Sequence, residues 1–214
     1  KEYRRQRQMC IRDRWRRLGD EKMSEVLTID TRAGILKEEV LEPLPLYSDK
    51  HPMLSQKIPE YDIRNIPNPV MTKLIKRLKM TMKLHNGIGL SANQCGVFER
   101  VFVIGTEHFQ IACINPEIIE SSETMKKENE GCLSFPGLSV KVDRPEWIMA
   151  RYINEEGKQV EVRMEGLTAK CYQHELDHMN GIKFTDHVGP VALQMAEQKR
   201  NKLLKKIQRL HNKL

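Results

Sequence analysis

The sequence predicts an α+β fold: antiparallel sheets packed around a central helix, with an amphipathic helix at the C-terminal end. Three observations carry this. Apolar residues recur at helical spacing over residues 71–82, short β-type runs then follow one another with no helix between them, and helical patterns return only at residues 173–181 and 191–214. Strands grouped together and flanked by helices point to α+β rather than to alternating β/α units.

Composition sets the frame for this reading. Hydrophobic residues make up 39% and charged residues 30% of the 214 positions, enough to bury a sizeable core in one domain. No run of 18 apolar residues occurs, so no spanning helix is expected and no membrane role. Five cysteines at irregular spacing argue against a disulfide framework and for a reducing compartment, where a thiol can serve as a ligand. The net charge of +7 sits at the ends. Residues 1–22 carry nine Lys/Arg against four Asp/Glu, and residues 191–214 carry seven against one, which leaves the stretch between them acidic. Polyanion contact would therefore fall to the ends.

Residues 1–22 are Arg-rich and lack aliphatic periodicity, and read as a disordered basic arm or a non-native extension outside the fold. The absence of Ser and the four acidic residues disfavour a transit peptide, and no apolar stretch suits a secretory signal. Met23-Ser24-Glu25-Val26 would serve as a start. Residues 23–190 are then expected to form the catalytic domain, and residues 191–214 a separate basic amphipathic helix.

The elements follow in order. Pro43, Pro45, Pro52, Pro59 and Pro67 describe an extended segment wrapped over a surface. Asn68-Pro69 is a helix start, with Asn as N-cap and Pro in the first turn. Met71, Leu74, Ile75, Leu78 and Met82 give the helix its apolar face, and His85-Asn86-Gly87 ends it. Residues 87–94, Gly-Ile-Gly-Leu-Ser-Ala-Asn-Gln, let a backbone approach a neighbouring strand or a bound chain closely. Val101-Phe102-Val103-Ile104 and Ile111-Ala112-Cys113-Ile114 suit buried strands, Ile118-Ile119 continues the second, and residues 138–142 alternate. Residues 147–153 and 160–164 flank a turn at residues 154–158, a hairpin.

The chemistry concentrates in His174-Glu175-Leu176-Asp177-His178. On a helix the two imidazoles, four residues apart, point to one side and can share a metal ion, with Glu175 in reach of a water beside it. The central helix is thus expected to be a metal-binding helix. A third ligand is needed. Extension of the motif to a later His fails, because position 184 is Phe184. Cys171 lies seven residues from His178, about 10.5 Å along the axis, too far to close on the same ion. His187 stays open. The best placed is Cys132, on a loop framed by Gly131, Pro136 and Gly137.

Taken together, three stretches resemble the peptide deformylase family. Residues 87–94 match its Gly-apolar-Gly-Leu-Ala-Ala-x-Gln motif with Ser91 for the first Ala. Residues 130–134 match Glu-Gly-Cys-Leu-Ser without change, and residues 173–181 match Gln-His-Glu-x-Asp-His-Leu-x-Gly with Met179 for Leu. The resemblance implies one divalent metal ion, Fe(II) foremost and Zn(II) or another ion as alternatives, held by Cys132, His174 and His178. It implies Glu175 as the proton carrier, and Gln94 with the backbone N–H of Leu133 as donors to the developing oxyanion. The substrate implied is an N-formylmethionyl nascent peptide, pairing along Ile88 and Gly89, its methionine side chain walled by Leu167, Cys171 and Phe135. Asp177 is expected to orient a ligand or to pair with Arg144.

The closing segment places Leu203, Ile207, Leu210 and Leu214 on one face and Lys/Arg on the other. It suits docking on its own domain, or contact with the ribosome as the resemblance implies. Two other functions compete: a metallopeptidase or amidase using the same helix, and a ribosome-binding relative without catalysis. The expected location is a bacterial-type cytoplasm or a virus-infected cell ahead of an organelle.

Overall fold

The computed structural model describes residues 41–211 apart from Glu107, so the readings made on residues 1–22 and the boundary at Met23 lie outside the described residues. Among the described residues, seven strands form two antiparallel sheets. The larger holds β1 (Gly89–Ser91), β2 (Val101–Gly105), β3 (Gln110–Ser121), β6 (Trp147–Ile153) and β7 (Gln159–Glu165) in the order β1-β2-β3-β6-β7. The smaller pairs β4 (Met125–Gly131) with β5 (Ser139–Pro145). Among the described residues three α-helices accompany them: α1 (Pro69–Leu84), α2 (Gly166–Met179) and α3 (Pro190–His211). The chain is thus a mixture of helix and antiparallel sheet with a C-terminal helix.

β2 explains why the sheet sits where it does. Val101 and Val103 face one way and pack with Met71, Ile75, Leu78 and Met82 of α1. Phe102 and Ile104 face the other way and pack with Tyr172, Leu176 and Met179 of α2. Strand alternation therefore buries both faces, and the continuous apolar run of β2 follows from its lying between two helices. α1 begins as its sequence dictates: the Asn68 side chain accepts from Met71 N–H at 2.8 Å, with Pro69 in the first turn.

One strand departs from the sequence reading and another follows it. Residues 111–119, read as one strand that Ile118-Ile119 continues, contain Pro116. In the structure they form one twelve-residue strand, with a register shift between Ile114 and Glu117 that accommodates the proline and leaves Asn115 at φ 49°. β4 was not expected, since Met-Lys-Lys-Glu-Asn-Glu-Gly offers almost no apolar side chain. It is held by pairing with β5 over its whole length and by the cross-strand ion pair Lys127–Asp143 at 2.9 Å.

The proline-rich segment does wrap the domain. Leu44 N–H donates to Thr81 Oγ1, Tyr47 N–H to Gln94 O, Asp49 N–H to Ser134 O and Ile58 N–H to Met179 O, all between 2.7 and 2.9 Å. α3 covers a third apolar cluster. Its Leu193 and Ala196 pack toward Leu54, Phe135, Leu138 and Phe184, and Arg200 donates to Pro136 O at 2.9 Å. The first half of α3 thus docks on its own domain, while Leu203 and Leu204 stay partly exposed. The side chains of Ile207, Leu210 and Leu214 lie outside the described residues.

The C-terminal end of α2 is gripped on several sides. Asn93 Nδ2 donates to His178 O at 2.6 Å, and the Arg100 guanidinium donates to Met179 O and Asn180 Oδ1, both at 3.0 Å. With Ile58 N–H on Met179 O as well, carbonyls that a helix end leaves open all have partners. Gly181, at φ +74°, turns the chain away; a Cβ there would lie 2.8 Å from the Gln56 carbonyl carbon.

Candidate metal centre and active site

α2 presents His174 and His178 one turn apart on the side that faces the loop after β4. That loop turns at residues 132–137 and is held by Phe135 N–H on Cys132 O (2.9 Å) and Leu138 N–H on Phe135 O (3.1 Å). It brings Cys132 over the helix. Ligand atoms of Cys132, His174 and His178 all lie within 4.8 Å of one another. Cys132 Sγ is 3.2 Å from His178 Nε2, and the two imidazole rings stand edge to face, 5.0 Å between centroids. His187 is not part of this group; its ring contacts Asp177 instead.

The surroundings fix the orientation of the first imidazole. Glu130 Oε2 lies 3.1 Å from His174 Nδ1, which turns Nε2 toward the cluster. Glu130 is itself held by Arg144, with Nε on Oε1 at 2.8 Å and Nη2 on Oε2 at 3.0 Å, and Arg144 Nη1 reaches Asp177 Oδ2 at 2.6 Å. Phe184, which occupies the position where a third histidine would have extended the motif, is buried with its ring 5.6 Å from that of His174.

Electrostatics separate these groups. Burial works against the charged form of both imidazoles. For His178 it prevails, reinforced by His174 and Arg144, and keeps the ring well below the ordinary range. For His174, hydrogen bonding to Cys132 and Glu130 outweighs burial and lifts the ring to about 10 in the metal-free protein. Burial also pushes the Glu130 carboxyl up, but His174 and Arg144 overcome it and hold it at about 2. The Glu175 carboxyl goes the other way: burial raises it to about 7, against the pull of His174. A ligand imidazole must be neutral, so a proton on His174 would compete with any metal ion placed there.

Gln94 closes the site from the side of the glycine-rich stretch. Its Oε1 accepts from Ser91 N–H and Ser91 Oγ, both at 2.9 Å, which fixes the amide so that Nε2 points to Cys132 Sγ (3.3 Å) and Ser134 Oγ (3.2 Å). Residues 87–94 are thus not simply a loop: they contain the edge strand β1 and a one-turn helix at Ala92–Cys95. A cavity of about 450 Å³ opens beside the cluster. Ile88, Gly89, Gln94, Cys132, Leu133, Phe135, Leu167, Cys171, His174 and Glu175 all line it. Cys171 Sγ donates to Ile88 O at 3.2 Å, which joins α2 to the edge strand, and Leu167 stands half exposed at the mouth.

The matching family model is that of polypeptide deformylases, over residues 43–194. The chain belongs to the peptide deformylase family. A peptide deformylase of Rhizobium meliloti is 36% identical over 159 residues, covering 69% of this chain and 91% of that protein. One from Thermotoga petrophila is 39% identical over 129 residues, covering 60% and 79%. Among solved structures, a peptide deformylase from Synechococcus elongatus in complex with actinonin aligns with a TM-score of 0.69 at 34% identity, over 74% of this chain and 86% of that one.

In this member of the family, sequence reasoning missed Glu130 as the partner of His174, Ser134 beside Gln94, and Asn93 under His178. An acidic residue two positions before a candidate ligand was the available signal for Glu130; the other two depend on tertiary contact. Gly89 shows how tightly the deformylase site is packed. A Cβ on Gly89 would collide with Glu175 Oε1 and lie 2.7 Å from Cys171 Sγ. On the role proposed for Glu175 below, Gly89→Ala is expected to lower kcat/KM about a hundredfold, the scale for displacing a reacting group by about an ångström. Steady-state kinetics on a metal-replete sample checks it, and wild-type rates would refute it.

Proposed function

We propose that this chain removes the formyl group from N-formylmethionyl peptides, releasing formate, with one divalent ion held by Cys132, His174 and His178. The observation that carries the reading is the convergence of one sulfur and two imidazoles beside a buried carboxylate, at the rim of a cavity bounded by an edge strand. On this reading α2 is the metal-binding helix at the centre of the fold.

The residues suit such an ion. One thiolate and two imidazoles match the preferences of Fe(II) and Zn(II), and Fe(II) is the ion we assign first. With Nδ1–H on Glu130, the neutral His174 ring would offer its Nε2 lone pair to the ion. Glu175 Oε2 is buried without a hydrogen-bond partner among the described residues, as befits a group waiting for a proton donor. Bound there, the ion supplies Lewis acidity, polarising a carbonyl and making water a better nucleophile at neutral pH.

The protein's own groups do the rest. Glu175 takes a proton from the attacking water, whose oxygen bonds to the formyl carbon. Gln94 Nε2 and the Leu133 N–H donate to the formyl oxygen as it gains charge. Glu175 then delivers the proton to the amine nitrogen, the C–N bond breaks, and formate and a free N-terminal methionine leave. The peptide adds as a strand along Ile88 and Gly89, and its first side chain enters between Leu167, Cys171 and Phe135. The exposed basic end of α3 is proposed to touch the ribosome, through polyphosphate contacts that weaken with salt.

Formate release from a formyl-Met peptide, measured with metal content on one anaerobic sample, tests the reading. Release is expected with the formylated peptide, cleavage of the unformylated one is not, and a chelator abolishes activity that added Fe(II) or Zn(II) restores. Hydrolysis of an internal bond in the unformylated peptide would mark a peptidase instead.

A further inference from the structure

From the ligand imidazole to the surface runs an unbroken line of polar contacts, and its outer end is a residue to which the reaction gives no part. His174 Nδ1 meets Glu130 Oε2 at 3.1 Å, and Arg144 spans Glu130 and Asp177. Asp177 Oδ2 then meets His187 Nε2 at 2.7 Å. Side-chain exposure rises outward, from 3% at Glu130 and 7% at Arg144 to 16% at Asp177 and 34% at His187. We propose that His187 is a positioning residue for the metal centre, acting through Asp177, Arg144 and Glu130 on the orientation of His174.

The argument is geometric. Arg144 has two carboxylates to satisfy, and only one guanidinium pose serves both. Its Nε and Nη2 edge must lie flat on Glu130 while Nη1 reaches Asp177. Asp177, on the exposed side of α2, could rotate its carboxylate toward solvent. His187 prevents this by donating to the same Oδ2 that Arg144 uses. The guanidinium pose in turn fixes Glu130, and Glu130 fixes which nitrogen of His174 faces the cluster. The one-turn helix Phe184–His187 adds a second connection, because its Phe184 ring lies against the His174 ring. His187 thus sits on the short element that touches the ligand both through packing and through the polar chain.

The test uses His187→Phe, which keeps a ring but removes the N–H, and His187→Gln, which restores a donor. Metal dissociation constants are measured by chelator competition, alongside kcat and KM for a formyl-Met peptide at full metal loading. The proposal rests on the metal site assigned above, and wild-type formate release tests that assignment separately. Losing a partner behind a metal ligand typically costs about 10–100-fold in affinity or activity. For this more distant member His187→Phe is expected to weaken metal binding about tenfold and lower kcat with KM unchanged, and His187→Gln to recover most of both. Asp177→Asn should produce a similar loss, and His187→Phe on top of it should add little. Wild-type metal affinity in His187→Phe would overturn the proposal. So would losses that Gln does not recover, or losses that simply add to those of Asp177→Asn.

Discussion

Glu175→Gln is expected to keep its metal and its fold while formate release falls by about a hundred- to ten-thousandfold, the range for removing a general acid–base. The carboxylate is not a ligand in the proposed set, so metal content should match wild type. Gln preserves the shape and one acceptor oxygen but can neither take nor return a proton. In the metal-free protein burial raises the native carboxyl to about 7, against an ordinary value near 4.5. Atomic absorption and a single-turnover formate assay on the same sample decide the matter. Loss of metal together with activity would assign Glu175 a structural part, and retained turnover would remove it from the mechanism.

Arg144→Leu carries the second large effect, on stability. It strips the cation from two carboxylates at once, Glu130 and Asp177, in a site where Arg144 is 7% and Glu130 3% exposed. Breaking a buried pair from one side costs about 3–5 kcal/mol when the remaining charge is left alone; here His174 and His187 keep one contact each to Glu130 and Asp177, which places the expected loss at about 3 kcal/mol. The sign of its pH dependence follows from Glu130. Its folded-state carboxyl sits at about 2, below an unfolded value near 4.3, so its contribution is present above about pH 4.3 and is lost as pH falls toward about 2. The deficit of Arg144→Leu should thus be full at neutral pH and narrow in acid, where protonated carboxyls need no cation. Urea unfolding of the metal-free protein at about pH 7 and about pH 3, inside that window, measures this. A deficit under about 1 kcal/mol at pH 7 would show that the charges had found other partners.

Much of this was legible before any coordinates. α1 announced itself through Asn68-Pro69 and a clean apolar stripe, and the hairpin of β6 and β7 through its turn, where Asn154 Oδ1 accepts from Glu156 and Lys158 N–H. Both depend on local chemistry. Cys132 could be favoured because Cys171 failed on reach and position 184 is Phe184, while His187 stayed open until the fold placed its ring on Asp177. What stayed hidden was long-range. β4 is charged along its length and exists because β5 pairs with it. The arrangement around His174 joins residues 130, 144, 177 and 187, and none of those separations carries a periodic signal.

The grip on the last turn of α2 has a consequence for how the ion arrives. Asn93, Arg100 and Ile58 anchor that turn from three different parts of the chain, so it cannot fray alone; releasing His178 means breaking contacts to all three. The empty protein should therefore already hold its imidazoles in place, and loading becomes the filling of a rigid socket rather than a folding event. Exchange of one ion for another, in a cell or in a test tube, would then be governed by supply and oxidation rather than by any rearrangement of the polypeptide.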